Sequence, residues 1–338
     1  MSSFKTLQNE DFVISSDSIS GLLWSNGSPV LTDFFTSSIQ EISSAGNYYL
    51  AVYQTASTQD DAAIQFEVAY GNKEGSGSLL YNSLVDGASY TKTIYGQYKN
   101  LILGEGVDTF TFGNVTQSEF YVINFERARY KEKLFLGSFN LKLTGSSTLG
   151  EIELTDNSKV TTVVSYGESG RIYQIVSGSS GTPYSGTGYH PYSGSYGILL
   201  PDIGVALLNA AALDTNDGYG INLGTLRNSN TNNNNNGILF RAISGSSYFG
   251  MNSEETISSD FIFVRAQNYE FNYSENPSYI SGSTGEVLFS SFIDRPKTYI
   301  TTIGFYNDTN DLVAVAKLSR PLEKDFTKEC LVRAKLDW

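Results

Sequence analysis

Apolar positions along this chain alternate with polar ones far more often than they recur at helical spacing. In Ile64-Gln-Phe-Glu-Val-Ala-Tyr70 the side chains of Ile64, Phe66, Val68 and Tyr70 share one face, the period of a strand. Gly71-Asn-Lys-Glu-Gly-Ser-Gly77 closes that run with turn residues. Comparable runs cover residues 48–54, 63–70, 109–112, 120–125, 138–143, 159–166 and 171–176, and resume at 237–243 and 261–271. Strand signals about ten residues apart, with Gly, Asn or Ser between them, are how sandwiches and Greek keys look in sequence. Helical spacing is confined to residues 30–41, to 91–103, where Tyr95, Tyr98 and Ile102 line up, and to 205–213. The expected architecture is mainly β, an antiparallel sandwich of Greek-key type with few short helices.

The C-terminal stretch is patterned most densely. Residues 299–306 and 312–318 flank Asn307-Asp-Thr-Asn-Asp311 and predict a β-hairpin. In residues 331–338, Val332, Ala334, Leu336 and Trp338 fall on one face and Leu331, Arg333, Lys335 and Asp337 on the other. That alternation describes a final strand that is packed or docked.

The composition shifts near Val176. Residues 177–196 form a Ser/Gly/Tyr loop in which Pro183-Tyr-Ser-Gly186 recurs as Pro191-Tyr-Ser-Gly194, and residues 228–237 hold five consecutive Asn. The Asn tract is too polar and turn-prone to pack and is expected to be a mobile surface loop. A boundary near Ser177 gives two β-rich domains, 1–176 and 177–338. The second holds the Tyr/Gly loop (177–196), the Asn-rich loop (228–237) and the hairpin plus strand (299–338). A single β-domain with one long insertion is the alternative.

Charged residues make up only 17% of the 338, against about 25% in typical domains, while Tyr (23) and Phe (20) are abundant. A surface of Ser, Thr, Asn and Tyr suits a protein enclosed by neighbours in an assembly, and also suits a carbohydrate-contacting β-protein. The net charge of −13 sets the chain against nucleic acid, whose phosphates would repel it. One cysteine, Cys330, rules out an intrachain disulfide framework and any multi-cysteine metal site, and is expected to be a small buried hydrophobe at the entry to the last strand. Residues 1–11 lack the apolar core of a secretory signal, and no run of about 18 apolar residues predicts a membrane span. Synthesis in a reducing cytoplasm is expected.

Candidate chemistry is sparse. The only histidine, His190, lies in the Tyr/Gly loop without a nucleophile elbow, and reads as a structural loop residue before a catalytic base. No phosphate-binding Gly-x-x-x-x-Gly-Lys-Ser/Thr occurs. Asp60, Asp61, Asp202, Glu254 and Glu255 are formal candidates for a glycosidase pair. Asp214-Thr-Asn-Asp-Gly218 carries oxygen ligands but not the spacing of a calcium loop, and reads as a turn. No catalytic, metal or cofactor residue is therefore assigned. Tyr184, Tyr189, Tyr192 and Tyr196, rigid aromatics in a Gly/Ser setting, have the composition of an adaptable binding surface, and with Arg333 and Trp338 are the candidate interface residues.

Several segments carry a family resemblance. Ile303-Gly-Phe-Tyr-Asn-Asp308 followed by Leu312-Val-Ala-Val-Ala-Lys-Leu318 resembles a hairpin of virion structural proteins of contractile-tailed bacteriophages, those of marine cyanophages above all. Lys73-Glu-Gly-Ser-Gly77, Tyr95-Gly-Gln-Tyr98, Phe110-Thr-Phe-Gly113, Arg127-Ala-Arg-Tyr-Lys-Glu132 and Tyr196-Gly-Ile-Leu-Leu-Pro-Asp-Ile-Gly204 with Leu207-Leu-Asn209 resemble further stretches of the same group, together about half the chain. The resemblance implies a non-enzymatic virion protein of the tail, baseplate or fibre-attachment region, with other virion proteins and further copies of itself as partners. A host-glycan recognition module is the alternative; a neck or capsid-associated protein and a polysaccharide depolymerase rank below it.

Overall fold

The computed structural model of the protein describes residues 4–38, 48–78, 84, 89–227, 234–273 and 278–337. It is mainly β and antiparallel, as expected, with four short α-helices among the described residues: Tyr90–Ile102, Ala210–Leu213, Asn235–Ser246 and Ser290–Asp294. The chain divides into a larger compact unit, Ile19–Glu255, and a smaller one made of Met1–Ser18 with Thr256–Trp338. The division expected at Ser177 falls inside the strand Gly170–Ser179, whose neighbours on both sides belong to one sheet. Loop composition changes there, but the backbone ladder runs through it.

In the larger unit the main sheet runs in the order Val30–Leu31, Phe249–Gly250, Asn140–Thr144, Glu151–Asp156, Gly170–Ser179, Gly197–Leu200, Val205–Leu208, Glu119–Phe125, Ile64–Asn72, Leu50–Tyr53, Phe35–Ser38. Six strands separate those of Phe66 and Phe249 in that order, yet the two rings meet at 5.3 Å, so the sheet curls until its two ends share one core. Trp24, Phe125 and Phe139 close around Phe249 at 5.2, 5.6 and 5.7 Å.

The outer side of the central strands is covered as well. In Glu119–Phe125, Tyr121, Ile123 and Phe125 point into the curl, while Phe120 and Val122 pack outward with Ile94, Tyr95, Tyr98 and Ile102 of the helix Tyr90–Ile102. The helix registers on the sheet through Gly71, where a β-carbon would meet the Tyr95 amide nitrogen and the Phe120 ring at 3.1 Å. Strands covered on both faces read as continuous apolar runs, and this explains why the sequence pattern there is dense and not strictly alternating.

Several expected elements differ. Residues 30–41 are expected to be helical, but Val30–Leu31 and Phe35–Ser38 are strands, and residues 39–41 lie outside the described residues. The β-branched and aromatic residues there pair across the sheet. Only the last four residues of the expected helix at 205–213 are helical, because Asn209 accepts from the amides of Ala211 and Ala212 and caps a single turn after the strand Val205–Leu208. Of the expected strand at 159–166 only Ser165–Gly167 forms, since the Val160 and Thr161 amides turn back to the Asn157 carbonyl. The strand expected at 261–271 runs instead from Asn252 to Ala266.

The Asn tract gives the largest correction. Residues 228–233 lie outside the described residues, but Asn234 caps a helix through the Gly237 amide, and Asn235–Ser246 is helical where a strand was expected at 237–243. Asn235 and Asn236 are buried. Asn235 accepts from the Leu226 amide at 2.8 Å and donates to the Leu226 carbonyl at 3.0 Å, and Asn236 donates to the Tyr48 carbonyl. Amides with both donor and acceptor needs met by backbone pack as well as apolar groups do.

The smaller unit contains a sheet in which Asn252–Ala266, entering from the larger unit, pairs along eight positions with the final strand Cys330–Asp337. The hairpin of Thr298–Tyr306 and Leu312–Lys324 forms as expected, its turn held by Asn307, whose side-chain oxygen accepts from the Thr309 and Asp311 amides. Cys330 is buried, also as expected.

Candidate functional site

His190 is anchored on both ring nitrogens. Nδ1 accepts from the amides of Tyr192 (3.2 Å) and Ser193 (3.1 Å), which leaves the proton of the neutral ring on Nε2, 2.9 Å from Thr215 Oγ1 and 3.2 Å from Asp217 Oδ2. The ring has no exposed surface, and burial pushes its pKa down against the opposing pull of Asp217. Ser195, a serine of the same loop, donates to Gln174 Oε1 at 2.6 Å. His190 thus fastens the Tyr/Gly loop to the turn at Asp217, where Asp217 Oδ1 takes the Tyr219 amide.

The four loop tyrosines divide. Tyr192 is 81% exposed, and Tyr184 is exposed with its phenol hydrogen-bonded to Glu153, which pushes it up to about 12. Tyr189 is half-buried beside Gly113, and Tyr196 is buried, donating to the Tyr219 carbonyl at 2.7 Å. Two of the four therefore present rings to solvent, while Tyr196 belongs to the core.

The candidate carboxylates are separately engaged. Burial works to raise the Asp202 carboxyl, but a bidentate pair with Arg171 outweighs it and holds it below its ordinary value. Glu254 pairs with Lys133 at 3.2 Å and Glu255 with Lys131, and Asp60 and Asp61 are exposed. Asp214 and Asp217 face different partners: Asp214 Oδ2 meets Arg227, and Asp214 Oδ1 takes the Gly224 and Thr225 amides. Among the described residues no cluster of three or more acidic, His or Cys side chains converges as a metal site would require.

One polar network had no sequence signal, because its members lie far apart along the chain. Arg227 reaches Glu119 at 2.8 Å and also holds Asp214; Glu119 further accepts from the Tyr70 hydroxyl at 2.6 Å, and Tyr121 bonds Thr225 at 2.9 Å. Burial is the largest of the effects that push the Tyr70 and Tyr121 phenols far up. This network ties the sheet to the segment before the Asn tract.

The smaller unit is different in kind. Among the described residues both hydrophobic clusters lie wholly in the larger unit. Among the described residues of the smaller one only Ile262, Ala266, Cys330 and Ala334 are buried hydrophobics, whereas Ile14, Leu312, Val313, Val315, Phe326 and Leu331 are each more than half exposed. In the hairpin, Ile303 opposite Ala316 and Phe305 opposite Ala314 form an apolar face that is only half-buried, and Val315 lies on the other. In the sheet, Ile262 and Val264 oppose Ala334 and Val332 on one face, while Phe261 and Phe263 oppose Lys335 and Arg333 on the other. The Arg333 guanidinium lies 5.4 Å from the centre of the Phe261 ring and the Lys335 amine 5.9 Å. Arg333 is exposed, and Trp338 lies outside the described residues. Apolar side chains in strands with so little cover are what large exposed patches on a protein surface are made of.

Compared with family models, with curated proteins and with solved structures, the chain matches none.

Proposed function

We propose that the chain is a non-enzymatic structural component of a bacteriophage particle, in its tail, baseplate or fibre-attachment region, joined to its neighbours through the strands of the smaller unit. The observation that carries this reading is the shallow burial of that unit. A domain of about 100 residues normally hides more than 60% of the surface its unfolded chain exposes. Here the hairpin strands that should supply a core bury their apolar face only halfway and leave Leu312, Val313 and Val315 in solvent. Covering such faces with other chains is the ordinary route to a stable assembly, and repeated contacts among many copies multiply its strength. The particle context comes from the resemblance of residues 303–318, a segment that forms the hairpin. Immunogold electron microscopy of the source lysate tests the reading. Gold at the baseplate or fibre roots supports it, gold at the neck or capsid moves the component elsewhere in the particle, and unlabelled particles with accessible antigen remove it.

Host-glycan binding is favoured by one feature, an open cleft of about 460 Å³ lined by Tyr279, Phe289, Phe292, Arg295 and Lys297. Aromatic faces beside cations suit acidic sugars. A thermal-shift panel of host polysaccharides measures it: dose-dependent stabilisation supports recognition, and no shift removes it.

A further inference from the structure

We propose that the edge strand Cys330–Asp337 pairs with the same strand of a second copy of the chain, antiparallel and centred on Lys335; this deepens the assembly reading and rests on it. On its inner side the strand is laddered to Asn252–Ala266, and among the described residues no strand pairs with its outer edge. Such an edge is a template for another strand.

The charges choose the occupant and the register. In an antiparallel pair centred on Lys335, Arg333 lies opposite the second copy's Asp337, Ala334 lies opposite the second copy's Leu336, and symmetry repeats both contacts. Centring on Ala334 instead sets Arg333 against the second copy's Lys335 twice. Centring on Arg333 sets that guanidinium against its own mate and Leu331 against a lysine. Of the three, the first alone joins opposite charges, twice, and its one like pair, Lys335 against its mate, is offset in each chain by Asp337 at 2.9 Å, whereas the other two oppose like charges or gain no ion pair. Arg-x-Lys-x-Asp read backwards therefore complements itself at its two outer positions. Edge cations ordinarily deter pairing with strangers, and here they leave a copy of the same strand as the matching partner.

The groups are also pre-positioned. The Phe261 ring lies under both Arg333 and Lys335, and Asp337 is fixed by Ser259 at 2.6 Å. Lys335, which faces its own mate at the centre, is held by Asp337 of its own chain at 2.9 Å.

Sedimentation velocity on the full chain over a concentration series tests this. The wild type is expected to dimerise, Arg333→Asp and Asp337→Arg each to weaken the dimer about tenfold or more, and the double exchange to restore it by swapping the two charges. A foreign partner or a contact elsewhere would give no such rescue. A monomeric wild type, unaffected single variants, or a double variant no better than the singles overturns the proposal. Should the variants misfold by circular dichroism, hydrogen exchange of the wild-type amides at 331–337 decides alone. Protection that rises with protein concentration supports pairing, and protection independent of concentration overturns it. A dimer with unlabelled particles would remove the virion reading and keep the pairing; a monomer with labelled particles would do the reverse.

Discussion

Replacing Arg227 with methionine tests whether the buried network of the larger unit is held by its single cation. The Glu119 and Asp214 side chains are only 9% and 15% exposed, and Arg227 serves both. Without the guanidinium, Glu119 keeps the Tyr70 hydroxyl and the Asn72 amide, and Asp214 keeps the Gly224 and Thr225 amides. Two carboxylates then lie in poorly hydrated surroundings with no cation. Breaking a buried ion pair on one side costs about 3–5 kcal/mol. Arg227 is itself 42% exposed, so water screens part of the loss and the expectation falls to about 2–3 kcal/mol. For a unit of this size that lowers Tm by roughly 5–10 °C. Urea unfolding followed by circular dichroism and by the fluorescence of the buried Trp24 measures it. A triple variant that also neutralises the acids, Arg227→Met with Glu119→Gln and Asp214→Asn, is expected to recover most of the loss. A cost under about 0.5 kcal/mol, within the range of an ordinary surface substitution, would refute the argument, as would a triple variant no more stable than the single one.

Phe249→Ala removes a fully buried ring that touches four other aromatics, and is expected to cost about 3–5 kcal/mol in the same denaturation assay. Asn235→Leu strands the Leu226 amide and carbonyl and should cost about 2–4 kcal/mol, which would show that this residue of the Asn tract is structural. Hydrogen bonds from Lys328 and Lys297 hold the Glu323 carboxyl down to about 2, from an ordinary 4.5. Because the folded value is the lower one, its contribution to the smaller unit is present above about pH 4.5 and disappears as pH falls toward 2. An acid titration followed by near-ultraviolet ellipticity should lose that component in Glu323→Gln. Leu312→Ser with Val315→Ser changes exposed positions, so stability should move by less than about 0.5 kcal/mol while incorporation into particles falls.

Local periodicity carried much of the fold. The spacing of Tyr95, Tyr98 and Ile102 marks the buried stripe of the helix Tyr90–Ile102, and the alternation at 331–337 matches the burial of the last strand. Short apolar runs were ambiguous. Ile238, Leu239 and Phe240 have strand character, and the Asn234 cap that makes them helical was hidden inside a tract read as featureless polarity. The Glu119–Arg227–Asp214 network joins the strand at Glu119 to a stretch about a hundred residues further on and has no local signature. Least legible was the state of the smaller unit, because alternation marks a face for burial without saying what covers it. The apolar strands at 298–324 read as ordinary core strands until their exposure is known.

The larger unit is one continuous stretch, Ile19–Glu255, whereas the smaller is stitched from segments on either side of it. On the ribosome the first can finish folding while the second still lacks most of its chain. The strands with exposed apolar side chains thus emerge only after the larger unit can fold. On the assembly reading proposed above, a truncated translation product would hold a folded larger unit without the strands that join neighbours, so the order of synthesis itself would screen what can be built into the final structure.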